Sequence, residues 1–295
     1  MHRDSARRVV LLTGASTGLG LAITRHLLST EHHLVLTARE SSLSRFAAEG
    51  IVENDRIWLR PLDVTSCDQR RSVVAEIEAE FGGVDFLINN AGVAYRTVIE
   101  HASDDDHAAQ MAVNYHGPIA LSRLVLPAMR KRRAGRIIQI SSMGGLMSMP
   151  TMGLYAASKF ALEAATEAMY YEARPFGVGV SLVLPGFIHS DSFQRVLLAA
   201  RADVALADVA DAYHPHYHHM TDFIARIMRL TPATPDTVAR TVLRTIHRRW
   251  PPLRVPATVD THLLWWFRRV IPHRLYLEIT YRLLPGITTW GKRRA

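Results

Sequence analysis

A single cysteine, Cys67, serves all 295 residues. No internal disulfide can form, so packing alone must hold the fold, and a reducing, cytoplasmic compartment is the expectation. Charged side chains are also few. They make up 21% of the chain against 48% hydrophobic residues, which excludes global disorder and suits one large domain with a sizeable core. Long apolar runs are missing too. The first, Val9 to Leu12, breaks at Thr13-Gly14 and is too short for a secretory signal, so it reads as a first strand. The longest uncharged stretch, Ile137 to Ser158, is rich in Ser, Gly and Met and contains Pro150, a composition unsuited to a membrane span. Internal repeats and low-complexity linkers are absent.

What charge there is lies unevenly. The net value is +8, yet residues 244–295 hold eleven Arg or Lys against Asp260 and Glu278. That segment carries +9, and the rest of the chain is near −1. The basicity belongs to the tail.

Residues 9–190 alternate short β-branched runs with longer amphipathic ones. Strands are expected at "VVLLTGA", "HLVLTAR", "IWLRPLDV", "VDFLINNAG", "GRIIQISS" and "GVGVSLVLPG". Helices are expected over Leu19–Leu28, Ser66–Phe81 and Asp105–Lys131 (bent near Gly117-Pro118), and around Tyr155. This order predicts an α/β fold of the Rossmann type, a doubly wound parallel sheet with helices on both faces. Ligands in such sheets bind outside the carboxyl ends of the strands. One catalytic domain is expected over 1–260. Within it, 191–230 would form a substrate loop or lid of one or two helices with a His-rich turn. A helix at Pro235–Arg249 and an edge strand at "PLRVPA" follow. Residues 261–295 read as a basic, amphipathic helical extension.

"TGASTGLG" joins the first strand to the first helix. Gly14, Gly18 and Gly20 let backbone come close to a pyrophosphate, with Ser16, Thr17 and Leu19 between them, and the helix N-terminus favours the negative charge. The spacing G-x-x-x-G-x-G differs from the common dinucleotide fingerprint, and a tight turn is the plain alternative. At the end of the second strand, "LTARE" offers no acid for a ribose hydroxyl. Arg39 instead suits a 2′-phosphate, which points to NADP(H), with NAD(H) second. Asp63-Val64 would sit by an adenine amine or cap the next helix. Asn89-Asn90-Ala91-Gly92 would brace the sheet or line the cofactor.

Together with Asn114 in "AVNYHG", Ser141-Ser142, "YAASK" and "PGFIHS", these pieces resemble the short-chain dehydrogenase/reductase family in its single-domain form. They keep the family's order and spacing over about residues 8–190. The resemblance implies a nicotinamide cofactor and reversible carbonyl reduction. It assigns Tyr155 and Lys159 to the Tyr-x-x-x-Lys pair, selects Ser142 over Ser141, and makes Asn114 the fourth member. It places Pro185, Gly186, Ile188 and Ser190 around the carboxamide end of nicotinamide. "SSMGGLMSMPTMGLYAASKFALE" is further similar to the 17β-hydroxysteroid and retinol dehydrogenase branch, which implies a small lipophilic alcohol or ketone.

The chemistry follows from residue types. A free phenol has a pKa of about 10, and a cation nearby lowers it. Lys159, one helical turn from Tyr155, is expected to do so. Tyr155 would then exchange a proton with the substrate oxygen, and Ser142 would hydrogen-bond that oxygen. A non-catalytic cofactor-binding sensor or membrane-associated scaffold is the rival reading.

Two other features compete for a role. "YHPHYHHM" contains His214, His216, His218 and His219, but its spacing matches no metal motif, so no metal is expected. In the tail, Leu275, Ile279 and Leu283 share one face, and Arg274, Glu278 and Arg282 another. That apolar face could pack on the body, over the substrate cleft, on a second copy in a homodimer, or on an anionic membrane surface. Nucleic acid is not expected, because the basic residues are interleaved with large aliphatics.

Overall fold

The computed structural model describes residues 7–189 and 196–292. Its first half runs β1 (Val9–Leu12), α1 (Gly18–Leu28), β2 (His33–Ala38), α2 (Ser44–Ala48), β3 (Ile57–Pro61), α3 (Cys67–Phe81), β4 (Phe86–Asn89) and β5 (Tyr95–Arg96). There follow α4 (Asp104–Met111), α5 (Gly117–Arg132), β6 (Gly135–Ile140), α6 (Gly153–Ala173) and β7 (Val178–Leu184). The chain ends with β8 (Leu197–Leu198), α7 (Ala200–Ala207), α8 (His214–Leu230), α9 (Pro235–His247), β9 (Arg254–Pro256), α10 (Val259–Val270) and α11 (His273–Leu283).

Seven strands form one parallel sheet in the order β3-β2-β1-β4-β6-β7-β9. Because side chains alternate along a strand, each central strand feeds two cores. Val10, Leu12, Leu34, Leu36, Ile88 and Ile138 meet Ile23 and Leu27 of α1 and Val238, Val242 and Ile246 of α9. Val9, Leu11, Val35, Leu87 and Ile137 meet Val73 and Ile77 of α3 and Leu121 and Val125 of α5. The doubly wound sheet expected from the alternation is therefore present, with its strand order reversing between β1 and β4. That reversal opens a crevice at the carboxyl ends of the strands.

The helix expected over Asp105–Lys131 is three pieces. Between α4 and α5, residues Ala112–His116 form a π-helical turn in which the Gly117 N–H reaches Ala112 O, five residues back. Pro118 has no N–H to give, so the ordinary ladder is broken there anyway. Such turns recur at functional sites, and this one carries Asn114.

The His-rich tract is not a turn. It forms the start of α8, where Tyr217, Met220 and Ile224 are buried on one face. The final segment returns to this helix: the Trp290 ring lies 4.1 Å from that of His216, and His219 Nε2 meets Thr289 Oγ at 3.2 Å. Leu264 and Trp265 of α10 pack half-buried on Leu146, Leu182 and Leu184. No helix among the described residues is long and apolar enough to cross a membrane.

Candidate functional site

The glycine loop leaves β1 and enters α1. Gly14 has φ +64, and a Cβ on it would press on Ala91. A Cβ on Gly20 would collide with the Gly14 carbonyl, so the helix can sit this close to the turn only without side chains there. Thr17 is the N-cap but gives no side-chain cap, and the first intrahelical bond is Leu21 N–H to Thr17 O, 3.1 Å. The N–H groups of Gly18, Leu19 and Gly20 have no acceptor within the helix, as at any helix start. Ser16 is buried beside them.

Asn90 braces this loop. Its amide nitrogen donates to Thr13 O at 3.0 Å and Gly14 O at 3.1 Å. The Asn90 and Ala91 N–H groups both donate to Thr13 Oγ1 at 3.0 Å. Asn89 braces the sheet instead, donating to Pro118 O at 3.3 Å. Gly92 faces the Asn114 amide oxygen.

Arg39 follows β2, exposed; its carbonyl accepts from Ser42 N at 2.7 Å, while its guanidinium makes no hydrogen bond or ion pair among the described residues. Asp63 lies past the end of β3, which stops at Pro61. Its Oδ1 accepts from Thr65 N at 2.8 Å and Thr65 Oγ1 at 2.7 Å, while Ser66 is the N-cap of α3. Burial pushes the Asp63 carboxyl up, but the Thr65 hydrogen bonds and the Arg39 and Arg70 charges outweigh this and hold it below its usual value. Val64 is buried, its carbonyl close against Gly117.

The remaining polar residues meet across β6, α6 and the π turn. Ser142 Oγ accepts from Gly144 N at 3.0 Å, and the Tyr155 ring lies against Gly144, where a Cβ would press on it. Lys159 is buried, sits 5.7 Å from the centre of the Tyr155 ring, and donates from Nζ to Ile140 O at 2.8 Å. Asn114 is fixed on three sides. Its Oδ1 accepts from Val93 N at 2.9 Å, and its Nδ2 donates to Val93 O at 2.9 Å and to Ser158 Oγ at 3.0 Å. The Ser141 hydroxyl lies beside the carboxylate of Glu163.

Charge balance here departs from the expectation that Lys159 lowers the phenol. Burial holds Tyr155 above its ordinary value, and the neighbouring Ser142 hydroxyl acts in the opposite sense. Burial also lowers Lys159 to about 8, against the pull of Glu163. Glu163 was not singled out from sequence, although Lys159 and Glu163 are i and i+4 on α6. Burial raises its carboxyl, and Arg254 opposes this, donating from Nε to Glu163 Oε2 at 2.8 Å and from Nη2 to Glu167 Oε2 at 2.7 Å.

Beyond β7, Pro185 O accepts from Met143 N at 2.7 Å, which ties this loop to the Ser142 segment. Gly186 is half-buried, and Ile188 packs on the α1 side of the core. Ser190 lies outside the described residues. No group of three or more His, Cys, Asp or Glu among the described residues could hold a metal.

Residues 8–200 match the family model for the short chain dehydrogenases. The chain belongs to the short-chain dehydrogenase/reductase family. Among its relatives, a 3-ketodihydrosphingosine reductase of Bacteroides thetaiotaomicron is 41% identical over 179 residues, 61% of this chain and 63% of the relative. The chain also shares its fold with solved members. One from Burkholderia phymatum, in complex with NAD, aligns with a TM-score of 0.74 at 26% identity over 94% of this chain and 97% of that one. A metagenomic short-chain oxidoreductase in complex with NADP aligns at 0.64 and 27% identity, over 84% and 96%.

Proposed function

We propose that this dehydrogenase interconverts a lipophilic alcohol and its ketone or aldehyde with NADP(H). The observation that carries the reading is the meeting of Ser142, Tyr155, Lys159 and Asn114 at the carboxyl ends of the strands, on the same rim as the glycine loop. The glycine loop supports the cofactor: it leaves no space for a Cβ on Gly20, holds Gly14 at a positive φ, and presents the open N-terminus of α1. Gly14, Ser16, Thr17, Gly18, Leu19 and Gly20 would hold the pyrophosphate. Asp63, Val64, Asn90, Ala91 and Gly92 would line the adenosine side, and Pro185, Gly186 and Ile188 the nicotinamide end. When bound, the cofactor supplies the hydride. Arg39, exposed and unpaired, supports a 2′-phosphate over a free hydroxyl.

In this reading Tyr155 moves the proton at the substrate oxygen, and Ser142 stabilises charge on that oxygen. Lys159 would anchor the nicotinamide ribose, and Asn114 would hold the far side of a proton path. The substrate class draws support from the 3-ketodihydrosphingosine reductase among the relatives. The catalytic unit would run to about residue 260, followed by the tail.

The tail reading is a lipid surface. Leu263, Trp266 and Val270 of α10 stand 66%, 60% and 70% exposed, and Leu283 of α11 73%. Leu263, Trp266 and Val270 share one face of α10 by helical spacing, in a segment that also carries Arg268, Arg269 and Arg274, a combination that suits anionic headgroups.

The proton role is tested by Tyr155→Phe. Turnover of ketones and alcohols should fall about 10²–10⁴-fold, with NADP(H) affinity within a few-fold of wild type by calorimetry. Retained turnover rejects the reading.

A further inference from the structure

We propose that Thr258 and Asp260, at the start of α10, are positioning residues for the loop at 185–188. The inference rests on the reading above that this loop holds the nicotinamide end of the cofactor.

The loop makes little secondary structure of its own, so each backbone group needs a partner from elsewhere. Those partners come in register from one short segment. Ala257 N–H donates to Leu184 O at 2.9 Å, continuing the pairing of β7 with β9. Gly186 N–H then donates to Thr258 Oγ1 at 2.9 Å, and Phe187 N–H to Asp260 Oδ2 at 2.8 Å. Side chains therefore take over where backbone pairing stops.

Both side chains are themselves held. Thr258 Oγ1 lies 2.9 Å from Thr261 Oγ1, and both residues are buried. Asp260 Oδ1 accepts the N–H of Thr261 at 2.9 Å, within the first turn of α10. A carboxylate is favoured there by the helix dipole, which adds to its hold on the Phe187 N–H. Gly186 completes the arrangement. A Cβ at that position would run into the Asp260 carboxylate, so the close approach is possible only with glycine.

The charge census points the same way. The tail has only two acids, and Glu278 pairs with Arg282 at 2.7 Å. Asp260 makes no ion pair among the described residues, and both its oxygens accept backbone N–H groups. Its role is to fix a loop rather than to balance charge.

Hydrogen exchange of the full-length chain tests this without cofactor. Asp260→Leu and Thr258→Val should each speed exchange of the Gly186 and Phe187 amides about tenfold or more, as expected when one such hydrogen bond is lost. Asp260→Asn and Thr258→Ser keep an acceptor and should restore most of the protection. The same two disruptive variants should weaken NADP(H) binding about tenfold while their thermal midpoints stay close to wild type. Unchanged exchange at 186–187 in either Leu or Val variant overturns the proposal, as does an Asn or Ser variant as damaging as its apolar counterpart. If Asp260→Leu does not fold, the Thr258 pair decides alone. A wild-type chain that binds no nicotinamide cofactor would reject the functional reading, and the exchange result would still decide whether the two side chains hold the loop.

Discussion

Replacing Lys159 with methionine should make the protein more stable and inactive at neutral pH. Burial lowers the Lys159 ammonium from 10.5 to about 8. At 1.36 kcal/mol per pH unit, that difference costs the folded state roughly 3 kcal/mol. Methionine has a similar length and no charge to desolvate. It forfeits the hydrogen bond to Ile140 O, which offsets about 1–2 kcal/mol of the gain. A net gain of about 1–2 kcal/mol is expected at pH 7. Glu163 keeps its Arg254 partner in the variant. The sign depends on pH in a defined way. Below about pH 8 the amine is protonated in both states, so the folded chain bears the full cost. Between about 8 and 10.5 the folded chain loses the proton first, and the cost fades. By pH 10 about 1 kcal/mol of it is left, so the advantage of methionine should vanish or reverse. Urea unfolding of both proteins at pH 7 and pH 10 measures this. A stability difference that is the same at the two pH values would refute the lowered lysine.

Arg254→Met leaves the Glu163 carboxylate buried without its partner, and should cost about 2–4 kcal/mol in urea unfolding. Adding Glu163→Gln should recover much of that loss; an unchanged midpoint in the single variant contradicts the account. Arg39→Asp should move the ratio of NADP(H) to NAD(H) affinities by about 10–100-fold toward NAD(H), read by calorimetry. An unmoved ratio removes Arg39 from the cofactor site. Replacing Leu263, Trp266 and Val270 together with glutamine should lower binding to vesicles of anionic phospholipid by at least about 100-fold, since each large apolar side chain is worth about 1.5–3 kcal/mol on burial. Undiminished binding dismisses the lipid surface, and loss of a concentration-dependent dimer instead would assign the stripe to a second copy. Truncation is a poorer test, because a cut before residue 258 also removes Thr258 and Asp260 from the loop they hold.

The sheet was legible because its strands are short apolar runs separated by turn residues, and because buried parallel strands tolerate apolar residues on both faces. Ser142, Tyr155, Lys159 and Asn114 were legible as a spaced set. Other parts depend on distance along the chain. Gly186 and Thr258 are 72 residues apart, and Glu163 and Arg254 are 91 apart. No local period links such residues, and only the pairing of β7 with β9 brings them together. The π turn was half-legible. Pro118 marks a break, but the extra residue that turns Asn114 toward Val93 leaves no compositional trace. The histidine tract misled for a different reason. Its composition suggests a turn, while the burial of Tyr217, Met220 and Ile224 follows helical spacing. Periodicity in the apolar residues outweighed the polar ones between them.

The chemistry of Tyr155 depends on how its surroundings divide the charge. Ordinarily a lysine holds its proton to higher pH than a tyrosine does. Here burial lowers Lys159 to about 8 and raises Tyr155, so the order of proton loss is reversed. The phenol is therefore held in its neutral, donor form well above neutral pH. In the role proposed for it, that form gives a proton to a carbonyl oxygen, which is the reductive direction. The oxidative direction asks for phenolate, and burial alone works against it. One feature of this chain counters that cost: the Ser142 hydroxyl acts to lower the phenol. Glu163 acts on Lys159 instead, keeping it more cationic than burial alone would allow. Arg254 in turn favours the ionised form of Glu163, against the burial that raises its carboxyl on balance. The strand that completes the edge of the sheet, β9, therefore reaches Lys159 through a run of charges along α6, from Arg254 to Glu163 to Lys159.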